Sequence, residues 1–351
     1  MIENLSLSFD ISRIGMFTDI HFGAHHNSTQ HNEDCLKFID WFIQQCKRKN
    51  IDTIFFLGDW FEHRNSISTL TQKYSICALR KLNQSGFKVI FLIGNHDLYH
   101  RHNREVHSAE FFKELENLII IDNPCRYKDI LLLPYLFKDE YPMLVNDVNK
   151  STYVFGHLEF RNFFLTGTNS RSEIGYQHQM FSGPKYIFSG HFHKRQASDN
   201  IIYIGNPFGT SYADAGDYSR GACFLDMQTN EVDFEDYEGP SYIKTSLSIL
   251  LDDLSVIKQY ARIKCILDVD ISYSEAQSLK KDLIETFNLR ELSLEENAIE
   301  RQQALSESTL DELDELDLSI LNETVKKLIE TGVQATTTIN PKTLTLLYSE
   351  L

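Results

Sequence analysis

Short apolar segments that end directly in glycine, aspartate, asparagine or histidine recur along residues 14–193. Two of them, Ile51 to Leu57 and Phe87 to Ile93, are continuously apolar, as in strands that are buried on both faces of a parallel sheet. Helical spacing of apolar residues predicts helices at Glu33 to Arg48, Ser68 to Gln84 and Val106 to Glu116. This alternation of strand, loop and helix predicts an α/β fold with its site at the carboxyl ends of the strands.

Five of the predicted strand ends carry side chains that bind metal ions. At two of them the polar residues stand two positions apart, so on an extended strand their side chains point the same way. The full set is Asp19, His21, Asp59, Asn95, His157, His191 and His193. Oxygen and nitrogen donors without a thiolate suit two divalent first-row ions, with one carboxylate placed to bridge them. Two such ions activate a water and clamp a phosphoryl group, so the sequence predicts phosphoester hydrolysis.

The segment that contains Asn95 also offers candidate catalytic residues. His96 is not needed as a ligand and is free to give a proton to a leaving oxygen, with Asp97 able to orient its ring. Asp19-x-His21 alone is more often a solvated turn, and Gly58-Asp59 alone is a common strand-end turn. Asn95 to Asp97 could be a hydrogen-bonded loop and His157 a satisfied histidine near the core. The prediction therefore depends on five motifs in order, each after a strand. Other histidines are interpreted as loop residues near the mouth of the site: His25, His26, His31, His100, His102 and His107.

Composition sets the class of protein. The 351 residues suffice for two or three domains, and 42% hydrophobic with 24% charged residues is typical of a soluble globular chain. Six widely spaced cysteines indicate reduced, packed thiols, and no apolar run reaches the ~20 residues that span a bilayer. The net charge of −16 repels nucleic acid, so a role on DNA requires metal ions, a basic groove or a partner.

Breaks in pattern divide the chain into four parts. Residues 1–240 hold all the motifs and end at Gly239-Pro240, residues 241–295 form a small α+β module, and residues 296–309 form a polar linker. Residues 310–351 are predicted to form two short amphipathic helices. Helices of this length bury little by themselves, so a partner protein is expected to cover them.

The order Asp-x-His, Gly-Asp, Gly-Asn-His-Asp, Gly-His and Gly-His-x-His resembles the calcineurin-like metallophosphoesterase superfamily, over about residues 14 to 240. Within that superfamily the chain is similar to the SbcD-type recombination nucleases, and most of all to their phage form. The features behind this finer resemblance are Ile204-Gly205-Asn206-Pro207, the module after residue 240, and the helical tail. The resemblance implies a metallophosphoesterase β-sandwich that is flanked by helices, with the module as a DNA-contacting cap.

The resemblance also implies roles for residues. It assigns one manganese ion to Asp19, His21, Asp59 and His193, and a second to Asp59, Asn95, His157 and His191, with magnesium or iron as alternatives. His96 corresponds to the catalytic histidine. The family often has a second histidine three residues after the bridging aspartate; Glu62 occupies that place here, and the adjacent His63 is the candidate substitute.

By this resemblance the chain is expected to be a manganese-dependent DNA exonuclease and endonuclease. It would be the nuclease subunit of a recombination and double-strand-break repair complex, homodimeric and cytoplasmic, of the host cell if phage-encoded, without a membrane role. Its partner would be an SbcC-type coiled-coil ABC ATPase, bound through residues 310–351. Two alternatives stay open: a small-molecule phosphodiesterase or protein phosphatase that shares the metal motifs, and a non-catalytic adaptor with the same fold.

Overall fold

Strands and helices alternate along the chain, as the hydrophobic pattern predicts. The computed structural model describes residues 2–165 and 170–296. The strands are β1 (Glu3–Asn4), β2 (Arg13–Phe17), β3 (Thr53–Phe56), β4 (Lys88–Leu92), β5 (Leu118–Ile121), β6 (Cys125–Tyr127), β7 (Ile130–Leu133), β8 (Tyr153–His157), β9 (Tyr186–Gly190), β10 (Gln196–Ser198), β11 (Ile201–Tyr203), β12 (Gly221–Asp226), β13 (Glu231–Asp236), β14 (Tyr242–Ser246), β15 (Arg262–Leu267) and β16 (Glu291–Glu296). The helices are α1 (Ala24–Asn27), α2 (Thr29–Arg48), α3 (Thr69–Gln84), α4 (Glu140–Asn149), α5 (Leu247–Asp252) and α6 (Tyr273–Phe287).

The strands form two large sheets and one small one. The seven-stranded sheet has the order β1-β6-β7-β8-β9-β11-β10, and the six-stranded sheet has the order β13-β12-β2-β3-β4-β5. Strands β2, β3, β4 and β5 run parallel in the six-stranded sheet, and β7, β8, β9 and β11 run parallel in the seven-stranded sheet. Carboxyl ends of neighbouring parallel strands therefore meet at one edge of each sheet.

The two large sheets face each other across an apolar core. Phe55 on β3 and Phe155 on β8 meet across this core with ring centroids 4.6 Å apart. The next residue along β3, Phe56, points to the opposite face and packs in a second cluster with Phe17 and with Phe38 of α2. Because β3 is covered on both faces, its sequence is apolar throughout and not alternating.

Helices cover the outer faces of the sandwich. Helices α2 and α3 pack on the six-stranded sheet, and α4 packs on the seven-stranded sheet through Leu144 and Val148. The predicted α/β class, with facing sheets between helices, is confirmed. The prediction of an α-helix over Val106 to Glu116 was wrong. Of these residues only Ser108–Phe112 are helical, and they form a 3-10 helix. Its first residue is held by the loop after β4, since the Ser108 backbone N–H donates to the Asp97 carbonyl over 2.8 Å.

The predicted α+β module contains the third sheet, in the order β14-β15-β16, together with α5 and α6. A buried ion pair connects this region to α2, because Nη1 and Nη2 of Arg290 each lie 2.5 Å from an oxygen of the Asp34 carboxylate. The division into four domains stays a prediction. The linker beyond residue 296 and the helical segment 310–351 lie outside the described residues.

The cysteines are all free, and five of the six are buried, in keeping with packed thiols. Among the described residues, no helix combines the length and apolar character that crossing a bilayer requires.

Candidate metal centre

The predicted ligands come together because both large sheets present the carboxyl ends of parallel strands at the same side of the sandwich. Asp19 follows β2, Asp59 follows β3 and Asn95 follows β4, whereas His157 ends β8 and His191 follows β9. Each lies in or beside a loop that is anchored by a buried strand. The seven residues predicted from the strand ends form a single cluster in two overlapping groups.

The backbone of this cluster is held in an unusual conformation. Asp19, His21, Asp59 and His191 all have positive φ, at 51°, 50°, 63° and 91°. A residue with a side chain adopts this region at a cost of about 1–3 kcal/mol, and it persists where the surroundings impose it. One such restraint is a hydrogen bond of 3.0 Å from the His191 backbone N–H to the Asp19 carboxylate.

Two glycines make room for the cluster. A Cβ at Gly58, which has φ of +100°, would lie 2.4 Å from Nδ1 of His157. A Cβ at Gly94 would lie 2.2 Å from Oδ1 of Asp59. The glycines before these ligands are therefore required by close packing around the site.

One group of donors surrounds His157. Its Nδ1 lies 2.7 Å from the carbonyl oxygen of Leu57, so Nδ1 carries a proton and donates it. In the neutral ring Nε2 is then a bare lone pair, and it faces Oδ1 of Asn95 at 2.9 Å and Oδ2 of Asp59 at 3.4 Å. Nδ1 of His191 lies 2.9 Å from the same Asn95 oxygen.

The other group surrounds His21. Its Nδ1 lies 2.9 Å from Oε2 of Glu62, and its Nε2 faces Nε2 of His193 at 3.1 Å. Oδ1 of Asp19 lies 3.8 Å from the His21 nitrogen and 3.6 Å from the His193 nitrogen. These carboxylate distances are too long for hydrogen bonds.

Several of these spacings fit ligands of a shared ion. Atoms that each lie about 2.1 Å from one divalent ion stand about 3.0–3.5 Å from each other at octahedral or tetrahedral angles. The 3.1 Å between the ring nitrogens of His21 and His193 and the 3.4 Å between His157 and Asp59 fall in this range, and the remaining carboxylate distances of 3.6–3.8 Å lie just above it. Asp59 belongs to both groups, because its Oδ2 lies 3.4 Å from Nε2 of His157 and 3.8 Å from Nε2 of His21. The donor set therefore fits two cations with Asp59 between them.

The pKa shifts of two histidines in the site also indicate a place for cations. Burial lowers the pKa of His157, but the charge of Asp59 and a hydrogen bond to it outweigh burial and raise that pKa to about 9. Burial also lowers the pKa of His21, yet Glu62, Asp59 and Asp19 raise it to about 9. The buried carboxylates thus create a negative potential that favours cations.

The three candidate catalytic residues occupy different surroundings. Nδ1 of His96 lies 2.7 Å from the Glu62 carbonyl, so Nδ1–H donates there and Nε2 is left without a proton in the neutral ring. His63 is exposed and lines the same cavity as His96. Asp97 is buried and accepts hydrogen bonds from backbone N–H groups. The sequence suggested that Asp97 orients the His96 ring, but the Glu62 carbonyl does so instead.

Two carboxylates beside the ligands were missed as contributors. Glu62 was noted only as a departure from the family pattern, whereas it contacts His21. Glu159 lies 3.9 Å from Nε2 of His191. It stands two residues after His157, the same spacing as Asp19 with His21, so strand-end spacing was a signal for it. His31 also differs from its interpretation as a loop residue, because it lies buried within α2.

The comparisons with known proteins agree with this geometry. The sequence model of the calcineurin-like phosphoesterase family matches residues 12–195. Exonuclease subunit 1 of Enterobacteria phage T4 is 26% identical over 200 residues, which span 55% of this chain and 58% of that protein. The chain thus covers less than two thirds of that relative.

Two solved structures show weaker likeness. A dimetal phosphatase from Danio rerio is 9% identical with a TM-score of 0.41, covering 62% of this chain and 93% of the phosphatase. The glutamine-dependent NAD+ synthetase of Acinetobacter baumannii is 11% identical with a TM-score of 0.31, covering 96% of this chain and 76% of the synthetase. The fold assignment rests on the family match and on the sheet order.

Proposed function

Because the chain belongs to the calcineurin-like phosphoesterase family, we propose that it is a two-metal DNA phosphodiesterase, with exonuclease and endonuclease activity, that uses manganese. The observation that carries this proposal is the convergence of histidine ring nitrogens and carboxylate oxygens around Asp59. The phage relative is named an exonuclease subunit, which favours DNA as the substrate.

The proposed ligand sets follow the two groups of donors. One ion would be held by Asp19, His21, Asp59 and His193, and the other by Asp59, Asn95, His157 and His191. When bound, the two ions supply Lewis-acid activation of the attacking water and neutralise charge on the phosphoryl group. Magnesium or iron would satisfy the same donors, since none of them is a thiolate.

The protein side chains orient this site and move a proton. The Leu57 carbonyl fixes the His157 tautomer, and a second hydrogen-bond partner of this kind raises the basicity of a metal-binding imidazole. The Glu62 carboxylate lies 2.9 Å from Nδ1 of His21, and its charge raises the basicity of that ring. His96 is held through Nδ1, so Nε2 is the nitrogen that, once protonated, gives a proton to the leaving oxygen. His63, on the same cavity, is proposed to assist.

Partner binding is a second part of the proposal. The word subunit in the name of the phage relative supports work within a complex, and we place an SbcC-type ATPase on residues 310–351. The module at 241–295 would contact DNA as a cap. A net charge of −16 requires that DNA affinity come largely from the metals, the ATPase or a second copy.

A homodimer is supported by an exposed apolar surface on one side of α3. Phe111 is 73% exposed, Val106 is 49% exposed, and Ile76 is 38% exposed. They line a groove of about 570 Å³. Contiguous apolar surfaces of this kind mark protein contacts.

Hydrolysis assays test the function. We expect manganese-dependent cleavage of a labelled linear duplex and of bis-p-nitrophenyl phosphate, abolished by chelation and by Asp59→Asn, and retained by Asp139→Asn, an exposed aspartate before α4. Cleavage of the small ester alone would indicate a small-molecule phosphodiesterase. No cleavage of either substrate, with two manganese ions bound, would contradict the enzyme proposal and leave an adaptor.

A further inference from the structure

Two arginines near the metal centre lack the ion pairs that most other arginines make. Arg48 pairs with Glu235 and Arg220 with Asp214, at 2.8 and 3.0 Å. In residues 2–165 and 170–296, neither Arg64 nor Arg101 lies within ion-pair distance of a carboxylate. In a chain with a net charge of −16, two such cations form a local site that attracts anions.

Both arginines line one cavity, of about 550 Å³, to which His63, His96 and Tyr99 also contribute. A cavity of this size lies in the range that holds small ligands. Glu62 also lies on its wall, with its carboxylate directed to Nδ1 of His21 at 2.9 Å. The cavity therefore offers cations and hydrogen-bond donors next to the proposed proton donor.

The position of His96 fixes what this cavity would receive. In an in-line displacement the leaving oxygen departs on the side opposite the attacking water. His96 is the proposed donor to that oxygen, so the leaving group extends past His96 into the cavity. The next phosphate of a polynucleotide then comes near Arg64 and Arg101, and guanidinium groups bind phosphate in a bidentate manner.

We propose that Arg64 and Arg101 form a subsite for the phosphate one nucleotide beyond the scissile bond, on the leaving-group side. This subsite rests on the proposed phosphodiesterase function and specifies its substrate as a chain with at least two phosphates. The subsite would favour a polynucleotide over a diester that has a single phosphate. Tyr99, which is 49% exposed on the same cavity, offers a ring for the base of that nucleotide.

Short thymidine substrates test the subsite. The thymidine dinucleotide TpT has a single phosphate, between its two nucleosides, whereas pTpT and TpTp carry a second phosphate at the 5′ and the 3′ end. The rates of hydrolysis of the three substrates are compared. Analysis of the products shows which nucleoside is the leaving group. The wild-type chain should cleave the form with a phosphate on the leaving nucleoside with a kcat/KM at least about tenfold above TpT, since charge-assisted contacts are strong. In R64Q/R101Q this preference should fall towards one, mainly through KM.

A matched control removes two cations elsewhere. Lys150 follows α4, three residues before β8, and Lys185 directly precedes β9; both are exposed, at the end of these strands away from the metal centre. K150Q/K185Q should keep the full preference, and both double variants should keep wild-type hydrolysis of bis-p-nitrophenyl phosphate, which has no second phosphate.

The contrary results distinguish a failure of the subsite from a failure of the proposed function. An unchanged preference in R64Q/R101Q would overturn the subsite while the two-metal function stands. Equal loss of the small-ester activity in that variant would show that the arginines support the metal centre instead, which also overturns it. No cleavage of either the small ester or the DNA duplex by the wild-type chain, with manganese bound, would overturn the proposed function itself.

Discussion

Replacing Asp97 with alanine separates a structural role for this carboxylate from the catalytic role that the sequence suggested. Its oxygens accept backbone N–H groups from Gly94 and Asp59 at 2.9 Å each and from Trp60 at 3.0 Å. It is 1% exposed, so water does not replace these bonds.

The size of the effect follows from those three bonds. A buried N–H that loses its partner costs about 1–3 kcal/mol, so losing three of them in Asp97→Ala should destabilise the fold by about 3–9 kcal/mol. At about 2–4 °C per kcal/mol for a large domain, Tm should fall by at least about 6 °C. Asparagine keeps one acceptor oxygen, so Asp97→Asn should lose about half as much.

Thermal unfolding of the metal-free chain, followed by circular dichroism, measures this loss. Manganese affinity should fall as well, because Asp97 holds the backbone of Asp59. Glu114→Ala, which removes an exposed carboxylate, is the control and should leave both unchanged. A variant with wild-type Tm and metal affinity but slow DNA cleavage would refute this reasoning and favour an action of Asp97 through His96.

Further predictions concern the proton donor, the dimer and pH. His96→Ala should slow DNA hydrolysis about 10²–10⁴-fold but p-nitrophenyl ester hydrolysis far less, because that leaving group needs no proton; equal losses would contradict the role. Phe111→Glu should convert a dimer into a monomer in analytical ultracentrifugation, while Lys150→Gln should not. Burial lowers the pKa of His31 from 6.5 to about 4. In the folded protein His31 resists protonation, whereas in the unfolded chain it takes up a proton near pH 6.5. The free energy of unfolding is therefore unaffected by protonation of His31 above pH 6.5 and falls by about 3 kcal/mol as the pH is lowered towards 4. Denaturant unfolding from pH 7 to 4 should show this loss, and His31→Gln should remove it; equal slopes would contradict it.

The fold was predictable where a strand is buried on both faces, because its sequence is then continuously apolar. Phe55 and Phe56 face opposite apolar clusters, so β3 reads as a continuous apolar run. The ligands were predictable for a related reason, because each follows such a run, and parallel strands bring their carboxyl ends together. The topology thus gathers residues as far apart as Asp19 and His193.

Contacts between loops were not predictable in this way. Asp97 binds the backbone N–H of Asp59, which carries no side-chain signal in the sequence. Glu62 contacts His21 across 2.9 Å, but it follows no strand-end pattern of its own. The 3-10 helix at Ser108–Phe112 depends on bonds from Ser108 to Asp97, which override helical spacing. Such pairings arise only when the loops after separate strands meet.

Manganese binding stoichiometry tests the two-metal centre most directly. Isothermal titration of the metal-free chain should give two ions per chain. His193→Ala should lose one ion, and Asp59→Asn should weaken both, since Oδ2 of Asp59 faces the ring nitrogens of both groups. A single ion in the wild-type chain, or two ions bound by Asp59→Asn with unchanged affinity, would contradict the two-metal centre.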